Sequence, residues 1–173
     1  MTAGSVEGPL GLTAPARAPI LVLGLGNPLL MDDGAGLRLL AGLSAEGEWS
    51  GVEFVDGGTQ GIVLLPLLHE RRAMLLLDAV GFGAAAGTVH VLAGGDVLLS
   101  RAHRVSTAHE SNASELLLLA RLLSQLPGHV AVVGIEPGEV KTGVGLTQQV
   151  EGALPAALEQ ARTVLREMSV FRG

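Results

Sequence analysis

Apolar residues fall along this chain in short runs, separated by longer stretches in which they recur every three or four positions. Pro19–Gly24 (PILVLG) is an apolar run too short for a helix and ended by glycine, so it reads as a buried strand. Gly34–Ser44 then carries Leu37, Leu40, Ala41 and Ser44 at helical spacing. Val52–Asp56 (VEFVD) predicts a second strand. Thr59 stands where it would cap a helix over Gln60–Glu70, with Ile62, Leu65 and Leu68 on its apolar face and Pro66 as a kink. Ala73–Leu77 (AMLLL) predicts a third strand, closed by Asp78. Thr88–Leu92 (TVHVL) alternates and follows a stretch rich in glycine and alanine, which suits an antiparallel strand. Asp96–Ser111 is polar and predicts an irregular loop. Asn112 with Glu115 resembles a capping box, opening a helix through ELLLLARLLSQL. His129–Gly134 (HVAVVG) is the last strand. Thr147 is placed to cap a long helix with Val150, Leu154, Leu158, Ala161, Leu165 and Met168 on one stripe, bent at Pro155.

Strands alternating with helices predict an α/β fold, a mostly parallel sheet between helical layers. Residues 19–173 form one domain in this reading, after an extension over residues 1–18 whose Gly, Pro, Ala and Thr content predicts flexibility. In such sheets ligands bind beyond the carboxyl ends of the strands. Those ends carry Gly26, Asn27, Asp32 and Asp33 after the first strand, Asp56 after the second and Asp78 after the third. Acidic residues therefore collect on one edge.

Composition narrows the chemistry. The chain has 173 residues, 48% of them hydrophobic but only 2% aromatic, so its core is aliphatic. A net charge of −6 without a Lys/Arg cluster argues against nucleic acid as a partner. With no cysteine, thiol catalysis and zinc ribbons are excluded. No apolar run approaches the ~20 residues that span a bilayer, and residues 1–18 lack the basic start and apolar middle of a signal peptide. The expectation is a cytoplasmic protein that does not engage a membrane.

The segment ILVLGLGNPLLMDDGAGLR (residues 20–38) invites a nucleotide reading, because G-x-G-x-x-G turns after strands cradle pyrophosphate. Gly24 and Gly26 fit, but Leu29 occupies the third position, and Asp32 and Asp33 would repel phosphate at the helix start. Asp56 ending the second strand is the best point in favour of a Rossmann-like nucleotide-binding enzyme. The opposite reading is a cation site, with Asp33 and Asp78 contributed by neighbouring strand ends. Of the five histidines, His69, His90 and His129 read as packing or surface residues. His103 and His109 lie in the polar loop before a helix, where functional residues concentrate, and His109 is the better placed. Two carboxylates and one imidazole suit a first-row divalent metal. Asp32 also reads as a cap for the following helix. Leu29, Leu30 and Met31 read first as core, with the lining of a peptide groove as the alternative.

At these residues the chain resembles the maturation endopeptidases of nickel–iron hydrogenases. GLGNPLLMDDGAG resembles that family's G-x-G-N-x-L-x-x-D-[DE]-x-x-G signature, and DGGTQG, LLLDAV, STAHES and VGIEP…GLT follow in the family's order. The resemblance implies a three-layer α/β/α sandwich with five strands, one antiparallel, for which Thr88–Leu92 is the candidate. It implies an endopeptidase that removes a C-terminal extension from the hydrogenase large-subunit precursor after nickel insertion. By motif position Asp33, Asp78 and His109 become the metal-contacting residues, and Asp56 a further residue for activity, with the holding of its own turn as the alternative. The nickel would arrive within the substrate, and another divalent ion in the purified protein would be a stand-in for it. Ser106 with His109 lacks an orienting acid and makes a poor catalytic pair. A nickel-binding or delivery module without protease activity would use the same trio, although scattered histidines do not suit delivery.

Overall fold

The computed structural model describes residues 17–99 and 112–170. Five strands, β1 (Ile20–Leu25), β2 (Val52–Gly58), β3 (Ala73–Ala79), β4 (Val89–Ala93) and β5 (His129–Ile135), form one sheet in the order β2-β1-β3-β5-β4. All neighbouring pairs are parallel except β4 with β5, so the alternating Thr88–Leu92 run is indeed the antiparallel strand.

The central strands are apolar on both faces because both faces are covered. Ile20, Val22, Ala73, Leu75, Leu77, Ala131, Val133 and Ile135 face α1 (Ala35–Ser44) and α4 (Gln148–Val170). Their alternates, Leu21, Leu23, Leu25, Met74, Leu76, Val130 and Val132, meet Leu64 and Leu68 of a 3-10 helix (Gly61–Leu68), Val97 of α2 (Gly95–Leu99) and Leu116, Leu117 and Ala120 of α3 (Asn112–Leu122). This is the three-layer arrangement.

Several elements differ from the sequence expectation. The buried face of α1 is Ala35, Gly36, Leu39, Leu40 and Leu43 rather than the stripe through Leu37, Ala41 and Ser44. Small residues set that face. A Cβ on Gly36 would lie 2.3 Å from both Leu25 O and Leu77 O, so only glycine lets α1 start directly on the ends of β1 and β3. Gly36→Ala is expected to lose about 3 kcal/mol or more of stability, read as a lower denaturant midpoint. The segment after β2 is a 3-10 helix with Gln60 at its N-cap, and the expected cap by Thr59 does not form; Ile62 is exposed. Pro66 cannot donate back to Ile62 and its ring crowds that carbonyl, which disfavours the α form. The expected loop over Asp96–Ser111 begins inside α2, and its remainder, residues 100–111, lies outside the described residues. So does the Asn112 side chain of the expected capping box. The long helix runs unbroken through Pro155 and buries Val150, Ala157, Ala161, Leu165 and Met168.

Of the extension expected over residues 1–18, only Arg17 and Ala18 are described. Arg17 Nη1 donates to Pro66 O (2.5 Å), and Ala18 O accepts from Arg71 Nη1 (2.5 Å). Among the described residues no helix is long and apolar enough to cross a membrane.

Candidate functional site

Four parallel strands end on the same edge of the sheet, and the acidic residues gather there. After β1 the chain pivots at Gly26, in a left-handed φ of +130°, where a Cβ would overlap Asp33 O at 1.9 Å. The turn is braced within itself. Asn27 Oδ1 accepts from Leu29 N–H (3.0 Å), and Asn27 N–H donates to Asp33 Oδ2 (2.9 Å). A loop N–H that would face phosphate in a nucleotide site is here taken by a carboxylate. Leu29 is 62% exposed, so it is not a core residue.

Asp33 follows in a short 3-10 turn (Met31–Gly34), and Asp78 stands near the end of the adjacent β3. The two acids are close enough to influence each other. The Asp78 carboxyl is raised to about 7, chiefly by burial and also by the negative charge of Asp33, against the pull of the Ala79 N–H (2.8 Å). Such a pair is costly until a cation or a proton neutralises it.

Asp32 does not cap the following helix, since neither the 3-10 turn nor α1 has a side-chain cap. It is fully buried and reaches across the edge instead. Its Oδ2 accepts from Gly138 N–H (2.8 Å), Glu139 N–H (2.9 Å) and the Thr147 hydroxyl (2.8 Å), and its Oδ1 from Thr147 N–H (2.7 Å). Burial opposes its charge, but these bonds together hold it below the usual carboxylate range. Thr147, expected as a cap for α4, directs its hydroxyl to Asp32.

Asp56 is exposed near the end of β2, and its Oδ1 accepts from Gly58 N–H (2.9 Å), bracing the tight turn where Gly58 has φ +50°. Glu136, which the sequence reading quoted but gave no role, is buried just past β5. It accepts from Phe82 N–H (2.9 Å), Gly83 N–H (3.0 Å) and the His90 ring (Nε2, 2.8 Å). Burial would raise it, yet these partners keep it below its usual range. His90 is thus a packing partner, its ring 4.7 Å from that of Phe82. The signal for Glu136 in the sequence was only a lone acid after an apolar strand, because most of its partners are backbone groups.

His69 and His129 lie near the opposite, amino edge, at the end of the 3-10 helix and the start of β5. Gln125, just past α3, shares a hollow of about 370 Å³ there with Arg17, Leu65, Pro66 and His69. With its C-terminal end at the amino edge, α3 points its first turn toward the acidic edge. His103, Ser106 and His109 precede that turn and lie outside the described residues. Among the described residues no three His, Cys, Asp or Glu side chains are grouped to hold a metal.

Comparison with known proteins returns one family. Residues 37–164 match the hydrogenase maturation protease (HycI) model. The hydrogenase expression/formation protein HupD of Rhizobium leguminosarum bv. viciae is 33% identical over 94% of this chain and 81% of its own length. The hydrogenase 2 maturation protease of Escherichia coli is 34% identical over 87% of this chain and 93% of its own. Among solved structures, the hydrogenase maturating endopeptidase HybD from E. coli is similar with a TM-score of 0.78 and 33% identity, covering 88% of this chain and 93% of its own.

Proposed function

This chain belongs to the hydrogenase maturation proteases, and from that premise we propose that it cleaves the C-terminal extension from a nickel–iron hydrogenase large-subunit precursor once nickel is in place. The observation that carries the reading is the Asp33–Asp78 pair, two carboxylates held together at neighbouring strand ends with Asp78 raised to about 7. A pair of that kind is poised for a cation, and the cation here is the nickel carried by the substrate. By its place in the STAHES motif, His109 is assigned the third contact.

Nickel reaching the pair displaces the Asp78 proton, so recognition and charge neutralisation are one event. The nickel polarises a water beside the scissile bond, and a carboxylate takes the proton as hydroxide adds to the carbonyl carbon. The proton then leaves with the departing amine. Asp56 lies on the same edge, and Leu29 offers apolar contact to the incoming chain beside the acids.

The reading predicts that a nickel-loaded precursor loses its extension in the presence of the purified protein, while a nickel-free precursor stays intact. Intact-mass spectrometry reads the difference. Cleavage of both would remove nickel gating, and cleavage of neither, with loading verified, would favour a nickel-binding module without protease activity.

A further inference from the structure

Among the acids on this edge, Asp32 is fully buried and joins segments far apart in the chain. Its four hydrogen bonds go to residues 106 to 115 positions away in sequence. They join the turn after β1 to the segment between β5 and α4. The same seam continues through the backbone: Met31 N–H donates to Gly143 O (3.1 Å), Gly143 N–H to Leu29 O (2.9 Å) and Asp32 N–H to Glu139 O (3.1 Å). Leu30 and Gly143 form an isolated parallel bridge.

This seam is under load from two sources. Met31 sits at φ +50°, a conformation that costs a side-chain-bearing residue about 1–3 kcal/mol and persists only where its surroundings enforce it. Asp33, two residues on, is held beside Asp78 against mutual repulsion. Without the seam, both the strain and the repulsion relax when the turn moves outward and carries Asp33 with it. The buried carboxylate fastens this segment to the turn: one anion gathers three backbone N–H groups and a hydroxyl at 2.7–2.9 Å, the short range of charge-assisted bonds.

We propose that Asp32 is the positioning residue of the site: by fastening Gly138, Glu139 and Thr147 to the 27–33 turn it fixes Asp33 at the separation from Asp78 that a divalent cation requires. This deepens the cation reading and rests on it. Asp32 acts through Asp33 and touches neither cation nor peptide. A second-sphere change of this kind lowers metal affinity by about 10–100-fold.

The test is a thermodynamic cycle on partly buried Thr147, whose replacement trims one bond and leaves the Asp32 charge in place. Thr147→Val and Thr147→Ser are made in the wild-type and Asp33→Ala backgrounds, and Ni2+ alone is titrated calorimetrically into each protein beside a thermal melt. Thr147→Val is expected to weaken Ni2+ binding about tenfold in the wild type and less than about twofold in Asp33→Ala, with Thr147→Ser restoring affinity. The loss of Tm is expected to be no greater in the wild type than in Asp33→Ala, so the weaker binding does not follow from lost stability. Asp32→Asn, if it folds, follows the same pattern with a larger loss. Equal weakening in both backgrounds, or none in the wild type, overturns the positioning role while leaving the cation site standing. A wild type that binds no Ni2+ overturns the site and this inference together, and processing of the nickel-loaded precursor reports separately on the protease.

Discussion

Asp78→Asn is expected to make the protein more stable and to abolish processing. The wild-type carboxyl is raised to about 7 in the folded protein from an ordinary value of 3.8, first by burial and then, against the pull of the Ala79 N–H, by Asp33. Between those two values the folded state holds a proton that the unfolded chain has released. Stability therefore falls as pH rises through this window, by up to about 4 kcal/mol once pH exceeds 7. Asparagine keeps the shape and an oxygen for the Ala79 N–H (2.8 Å), but has no charge to desolvate and none for Asp33 to repel. Its Tm should exceed that of the wild type by several degrees at pH 8 and converge with it near pH 4. Activity goes the other way, because a neutral amide is a poor partner for a divalent cation. A substitution that stabilises the fold and removes function marks a site whose geometry is maintained at the expense of stability.

The other buried acids have the opposite sign. Asp32 and Glu136 are held below their ordinary values by hydrogen bonds that outweigh burial. Their contribution is present above the unfolded values of 3.8 and 4.5 and is lost as pH falls through the folded ones. The two windows adjoin, so stability of the wild type should rise with pH through the acid range, peak at about pH 4–5 and decline toward 7. Asp78→Asn should keep the acid limb and remove the decline. Denaturant melts across pH read both limbs, and a decline that survives the substitution would mean another group is responsible.

How much of this was legible in the sequence depends on the range of the interaction. β1, β3 and β5 were readable because strands covered on both faces must be apolar throughout, and their ends located Asp33 and Asp78 on one edge before any coordinates. The antiparallel β4 was readable from its alternation. The buried face of α1 was not, because its first contacts are made by Ala35 and Gly36, which hydrophobic periodicity hardly registers. Nor was the 3-10 form of Gly61–Leu68, where an apolar run suits either helix and the backbone at Pro66 decides. Asp32 and Glu136 were hidden for a third reason. Their partners are mainly N–H groups, distant in sequence for Asp32 and on a glycine-containing loop for Glu136, and backbone donors leave no trace in residue type. Asp32 thus read as a local cap, and the residue beside it received the chemistry.

The pairing of Asp33 with Asp78 makes the second large prediction. Asp33→Ala is expected to lower kcat/KM for the nickel-loaded precursor by at least about 10²-fold, the scale of losing one aimed electrostatic contact. The fold should survive, because Asp33 is only half-buried and its bond from Asn27 N–H is local to the turn. A low rate alone would not distinguish a lost cation contact from a distorted cleft, but Asp78 reports on which occurred. Removing the Asp33 charge removes one of the two causes that raise Asp78, leaving burial. The Asp78 carboxyl, followed by its side-chain carbon resonance, should then titrate below the wild-type midpoint of about 7 while remaining above 3.8. A midpoint that does not move would show that the acids do not sense each other, and the cation reading would lose its main support. A midpoint that falls to the ordinary value would mean the cleft has opened to water. Only the intermediate result, with processing lost, fits two carboxylates held together to await a cation.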